Sequence, residues 1–227
     1  MLNATVTVSD GNITDTLKLA INENVFPFIN YVGSGILKGE VGSQYTLKVN
    51  YFGDELNAIT SIPEAVPLDS LWFEFRGSDD DTLGYIHGIF DDPSETGNNY
   101  RVFSKTKNRD SIFVHPWNSL WNDRNINGEE DVKFILYHGS NTSDDQEDRE
   151  RWFFKLGETV TVRLCAMDND HYQFWYSFEQ NAGGGGNPFA SPAQIATNIN
   201  GGLGVWGGYG IFDMEYKVAY IEPTDDK

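Results

Sequence analysis

The sequence predicts an all-β protein, and three observations carry that reading. Apolar and polar residues alternate with period two in stretch after stretch, which is the pattern of half-buried strands. Gly, Asn, Asp, Ser and Thr interrupt these stretches roughly every ten residues, the spacing of turns in sandwiches and barrels. Aromatic residues abound, with 15 Phe, 11 Tyr and 6 Trp against a single Cys and 3 Met.

Taken in order, "NATVTVSDG" is the first strand: Ala4, Val6 and Val8 share one face, Thr5 and Thr7 the other, and Asp10-Gly11 supplies a turn with positive φ. "SQYTLKVNYFGDE" repeats the pattern, with Tyr45, Leu47, Val49 and Tyr51 on one side and Gly53-Asp54 as the turn. Between them, "NVFPFINYVGSGILKGEVGS" reads as loop with one short strand. Pro63 and Pro67 in "SIPEAVPLDS" force their predecessors out of the helical region and mark a domain boundary. Residues 1–66 are therefore expected to form a small immunoglobulin-like or prealbumin-like sandwich, and residues 67–227 a larger antiparallel sandwich or barrel.

In the second part "LWFEFRG", "LGYIHGIF", "NYRVFSK", "SIFVHP", "DVKFILYHG" and "ETVTVRLCAM" read as strands, the last burying Val160, Val162, Leu164 and Ala166. "DNDHYQFWYSFEQN" fits both periods. Asp168 or Asn169 is a helix-capping residue type, so the segment is read as one short helix near residues 169–180. "GGGGNPFASP" is loop, and "YGIFDMEYKVAYIEP" a closing strand.

Charge and cysteine content narrow the function. The chain carries 34 acidic and 16 basic residues, a net charge of −18, so its field repels nucleic acid and anionic lipid surfaces. A lone Cys165 inside an alternating run excludes an intramolecular disulfide framework. No apolar run reaches the ~18–20 residues of a membrane-spanning helix. The one basic patch, Arg101, Lys105, Lys107 and Arg109, is expected to pair with the chain's own carboxylates.

Several motifs invite chemistry. Gly202, Gly204 and Gly207 in "GGLGVWGGYG" match the dinucleotide-binding pattern, but five glycines in residues 201–208 oppose the helix that pattern must open. They read instead as points where the backbone bends or lies close to a neighbour, and no cofactor is expected. Asp123, Asn125 and Asn127 with Gly128 resemble the opening of a calcium loop, yet the closing Glu position holds Phe134. A hairpin turn at Asn127-Gly128 is the favoured reading, with a weak Ca2+ site completed by Glu129 or Asp131 as the alternative. The acidic runs "GSDDDT" and "SDDQEDRE" read as solvated loops, and the isolated His87, His115, His138 and His171 show no metal-ligand spacing.

"VHPWNSLWNDRN" places Trp117 and Trp121 beside Asn118 in a polar stretch. Exposed rings next to amides suit sugar stacking, whereas packing at the rim of a core explains the same residues. Trp117, Asn118 and Trp121 are thus the candidate ligand site, and no catalytic residue stands out.

The ordered set "NATVTVSDG", "GEVGSQYTLKVNYFGDELNAITSIPEAVPLDSLWFEF", "DDPSETGNNYRVFS", "NDRNINGEE", "LGETVTVRLCAMDNDHYQFWYSFEQ" and "NPFASPAQIATNINGGLGVWGGYG" resembles a family of Bacteroidetes surface lipoproteins, domain of unknown function 4249. Its most specific part is Asn187-Pro188-Phe189, Pro192, Asn198-Ile199 and Gly201 through Gly204. The resemblance implies an exported protein encoded near TonB-dependent outer-membrane transporters, with a lipid anchor expected only in a full-length precursor. It transfers no catalytic residues. The expected function is a non-enzymatic extracytoplasmic protein at the outer membrane or cell surface, a binding or accessory component of glycan or peptide uptake. Its alternatives are an adhesion or assembly scaffold and a glycan hydrolase with paired carboxylates.

Overall fold

The computed structural model describes residues 3–21, 28–77, 82–116, 118–139, 152–183 and 194–219. Their elements run β1 Thr5–Ser9, β2 Thr14–Ile21, β3 Ile29–Val32, β4 Gln44–Tyr51, β5 Asp54–Ser61, β6 Ser70–Phe75, β7 Leu83–Phe90, β8 Asn99–Thr106, β9 Leu120–Asn122, β10 Val132–Leu136, β11 Phe154–Lys155, β12 Thr159–Met167, α1 Asn169–Gly183 and β13 Tyr209–Lys217. The protein is all-β with one short helix, and no sheet among the described residues closes into a barrel. No described helix is long and apolar enough to cross a membrane.

The chain divides into two compact units, Met1–Glu64 with Met167–Tyr209, and Ala65–Ala166 with Gly210–Lys227. It leaves the first unit at Glu64. The segment from Met167 to Tyr209, expected in the larger part, belongs with the first unit instead. Its side chains account for this: Asp168, Asn198, Asn200 and Trp206 all hydrogen-bond to β4 or β5.

In the first unit the strands form one sheet of order β3-β2-β1-β4-β5. Register places Val6 opposite Val49 and Val8 opposite Leu47, and then Leu47 opposite Ala58 and Val49 opposite Leu56. One face therefore collects the apolar residues, as period two requires. The turn after β4 uses Phe52 and Gly53, both at positive φ (51° and 97°), one residue earlier than the sequence suggested. Two positive-φ residues make the primed turn that matches strand twist. α1 begins where Asp168 Oδ1 accepts from the backbone N–H of His171 at 2.9 Å, the expected cap. The segment is helical over Asn169–Gly183; His171 and Tyr172 in its first turn are buried, while Tyr176 and Phe178 stay exposed.

The second unit is a two-sheet sandwich. β7 lies between β6 on one side and β10 with β11 on the other, and the second sheet runs β13-β12-β8-β9. Leu71, Phe73, Ile86, Phe90, Leu136 and Phe154 of the first meet Tyr100, Val102, Val160, Val162 and Leu164 of the second in one core. Gly88 faces this core, and a Cβ there would enter the Phe134 ring, so the strand needs a glycine to admit it. "SIFVHP" contributes only one bridge, Val114 to Ser104, rather than a strand.

Candidate functional site

The aromatic residues of the second unit sort by face. In β6, β7 and β10 alternate residues point into the core, which leaves Trp72, Glu74, Tyr85, His87, Ile89, Lys133 and Ile135 on the outer face. Register aligns them in rows: Trp72 beside His87 beside Ile135, and Ser70 beside Ile89 beside Lys133. Tyr137, just past β10, packs on Tyr85 edge-on at 4.7 Å, and Phe153 lies 5.4 Å from Tyr85. Trp72 stacks on His87 at 5.1 Å and 19°.

Polar groups frame these rings. Trp72 Nε1 donates to Glu74 Oε1 at 3.2 Å, and His87 Nε2 lies 3.1 Å from Glu74 Oε2. The Arg76 guanidinium sits 4.9 Å above the Phe153 ring. Ile135 is 52% and Tyr137 42% exposed, so this aromatic sheet face meets solvent. Its rings are held by neighbours on a rigid sheet, the kind of support that fixes a binding geometry.

The sequence-predicted ligand residues are placed differently. Trp121 lies in β9, half-buried, with its ring centroid 5.8 Å from Phe134, 6.0 Å from Tyr100 and 6.2 Å from Phe90. It packs against the core rather than standing in an open loop, because β9 pairs with β8 and turns it inward. Asn118 is exposed at φ 62°, and Trp117 lies outside the described residues. The acidic runs at 79–81 and 143–150 lie outside them too.

Side chains of the calcium-like stretch hold backbone groups of the neighbouring loop. Asp123 Oδ2 accepts from the backbone N–H groups of Gly97 at 2.6 Å and Asn98 at 2.9 Å, and Asn127 Nδ2 donates to the Ser94 carbonyl at 3.2 Å. Asn125 is exposed. The turn at Asn127-Gly128 is not a hairpin, since β9 and β10 belong to different sheets; it is a crossover stapled to the loop at 92–98. Among the described residues no three His, Cys, Asp or Glu are grouped to hold a metal ion.

The remaining polar candidates are engaged with the protein's own groups. His138 Nε2 lies 3.0 Å from Asp110 Oδ2 with both side chains buried. Arg101 is buried with Nη2 at 3.1 and 3.2 Å from the two ring nitrogens of His115. Arg109 pairs with Glu158 at 3.4 Å, as expected of the basic patch. Burial pushes the Cys165 thiol up to about 12, which keeps it from acting as a nucleophile.

In the first unit the glycine-rich stretch forms a loop clamped by one side chain. Asn198 Oδ1 accepts from Trp206 N at 2.9 Å and Asn198 Nδ2 donates to Trp206 O at 2.7 Å, so the amide imitates a strand partner. Gly201 and Gly204 take positive φ, and a Cβ at Gly207 would enter the His171 ring. No helix follows, and the reading of bends and close approaches holds.

A search of curated proteins returns no significant match. Residues 1–213 match the model of the family described as Domain of unknown function (DUF4249), and with nearly the whole chain covered, the protein belongs to that family.

Proposed function

We propose that this is a non-enzymatic extracytoplasmic surface protein that binds glycan for an outer-membrane uptake system, with the outer face of the β6-β7-β10 sheet as its binding surface. The observation that carries this reading is the outer-face array of partly exposed Trp72 and Tyr85, the exposed Tyr137 and the mostly covered His87 that backs Trp72, flanked by Glu74 and Lys133. Ring faces pair with the C–H faces of sugars, while a carboxylate and an ammonium at their edges serve hydroxyl groups. The surface-lipoprotein character that the family resemblance implies, and a transporter of the TonB-dependent type as partner, give such a surface a role.

Calorimetric titration with a panel of neutral oligosaccharides tests the reading. A saturable heat with at least one of them, lost in Trp72→Ala with Tyr137→Ala, supports it. Unchanged affinity in that double variant, with its melting temperature retained, removes the sheet face from the function.

A second reading, adhesion to another protein, has its own observation. β3 is an edge strand of the first unit with Ile29 and Val32 about half exposed, and Ile21 on the neighbouring strand is 68% exposed. Edge strands of this kind accept a further strand. Recovery of a stable surface-protein complex that is lost in Ile29→Lys, with oligosaccharide binding absent, favours this reading over the first.

A further inference from the structure

The first unit contains a cavity of about 250 Å3 on the apolar face of its sheet. Val8, Leu37, Ile62, Thr60, Tyr45 and Trp206 are among the residues that line it. Every hydroxyl and indole N–H among these residues is already committed to the protein. Tyr45 Oη donates to the Lys38 carbonyl at 2.9 Å and accepts from Glu40 N at 2.8 Å. Thr60 Oγ1 donates to Asp168 Oδ2 at 2.5 Å and accepts from Gly208 N at 3.2 Å. Trp206 Nε1 donates to the Tyr45 carbonyl at 3.1 Å.

A polar body in this cavity would lose hydration without gaining a free side-chain partner from these residues, which favours an apolar body for the buried part of an occupant. Size agrees: a cavity of roughly 150 Å3 holds a benzene-sized molecule, and this one has room for a ring with a short substituent. One residue of the lining carries a cation, the exposed Lys38, and no described carboxylate pairs with its ammonium. In a chain with 34 acidic residues, an unpaired cation beside an apolar cavity selects for an anionic end.

We propose that this cavity binds a small carboxylic acid with a compact aromatic or branched aliphatic body, the body against Tyr45 and Trp206 and the carboxylate toward Lys38. The site lies in a different unit from the aromatic sheet face, so its test is separate from that of glycan binding. Phenylacetate, 2-phenylethanol, phenethylamine and acetate are titrated into the full chain, read by calorimetry and by the Trp206 indole N–H resonance.

Phenylacetate should bind saturably, the alcohol about threefold more weakly, the amine more weakly again, and acetate not at all. Leu37→Trp, which fills the cavity, should weaken phenylacetate at least tenfold. Lys38→Gln, a surface change that leaves the core intact, should equalise acid and alcohol. Absence of saturable phenylacetate binding, equal affinity for acid and alcohol in the parent chain, or preference retained in Lys38→Gln would each overturn the proposal.

Discussion

His138 Nε2 lies 3.0 Å from Asp110 Oδ2, with the two side chains 1% and 2% exposed, and the pair joins segments that follow β10 and β8 in opposite sheets of the sandwich. Burial opposes ionisation of Asp110, but the hydrogen bonds from His138 and Thr106 and the nearby imidazole charge outweigh it and hold the carboxyl below its usual value. Such a group contributes stability above its unfolded value near 3.9, lost as pH falls through the lower folded value. Urea unfolding below pH 4 should therefore show a steeper acid loss in the parent chain than in Asp110→Ala. The variant should be about 3 kcal/mol less stable at pH 7, because it strands His138 in the core. A variant as stable as the parent at pH 7 would contradict this account of the pair.

Asp168 serves two elements of the first unit at once. Its Oδ1 caps α1 at His171 N, and its Oδ2 accepts from Thr60 Oγ1 and from Ser61 N at 3.1 Å. Loss of a cap costs about 1 kcal/mol and stranded buried donors add to it. Asp168→Ala should lower stability by about 2 kcal/mol in chemical denaturation, and Asp168→Asn by less. Equal stability of all three chains would show that the carboxylate does not tie helix to sheet.

Gly207 marks where sequence reading and structure meet most closely. Its backbone runs against the His171 ring, so Gly207→Ala should cost about 1–3 kcal/mol through overpacking. Gly11 offers the control for space, since nothing lies near a Cβ there and its φ of 93° alone penalises substitution. A thermal melt in which Gly207→Ala equals the parent would remove the close-approach explanation.

His115 should titrate far from an ordinary histidine. Desolvation around the ring, then the charge of Arg101, push it down to about 4, while its bond to the Pro116 carbonyl opposes them. Held neutral when folded, it disfavours the proton that the unfolded chain takes up near 6.5, so its contribution to stability is lost as pH falls from 6.5 toward 4. The residue as a whole is exposed, and solvent screening keeps that energetic weight small. Proton resonances of the imidazole followed from pH 8 to 3 check the value directly; a midpoint near 6.5 would rule the Arg101 contact out as a determinant.

The strands with clean alternation, β1, β4 and β12, and the capped helix were legible because local pattern and burial agree there. β2 and β5 were not. Asp15 stands in β2 at a buried position and accepts from Ser34 N at 2.7 Å, and Thr60 in β5 is buried by its bond to Asp168, so polar residues break the apolar row for reasons that lie elsewhere in the chain. The aromatic sheet face escaped sequence reading for a related reason: Trp72, His87 and Tyr137 come from three segments and meet only through strand register. Alternation within "LWFEFRG" and "LGYIHGIF" places Trp72 and His87 on the faces opposite Phe73 and Ile86, and that was the available signal. Trp117 and Trp121 drew attention because they are neighbours in sequence, whereas pairing of β9 with β8 turns Trp121 into the core.

The central claim is that the outer face of the β6-β7-β10 sheet binds sugar, and the measurement that tests it most directly is oligosaccharide affinity in Trp72→Ala with Tyr137→Ala. Two ring contacts of about 0.5–1.5 kcal/mol each predict a loss of roughly tenfold or more, with the sandwich still folded. Affinity unchanged in a folded double variant, or no oligosaccharide bound by the parent chain, would contradict it.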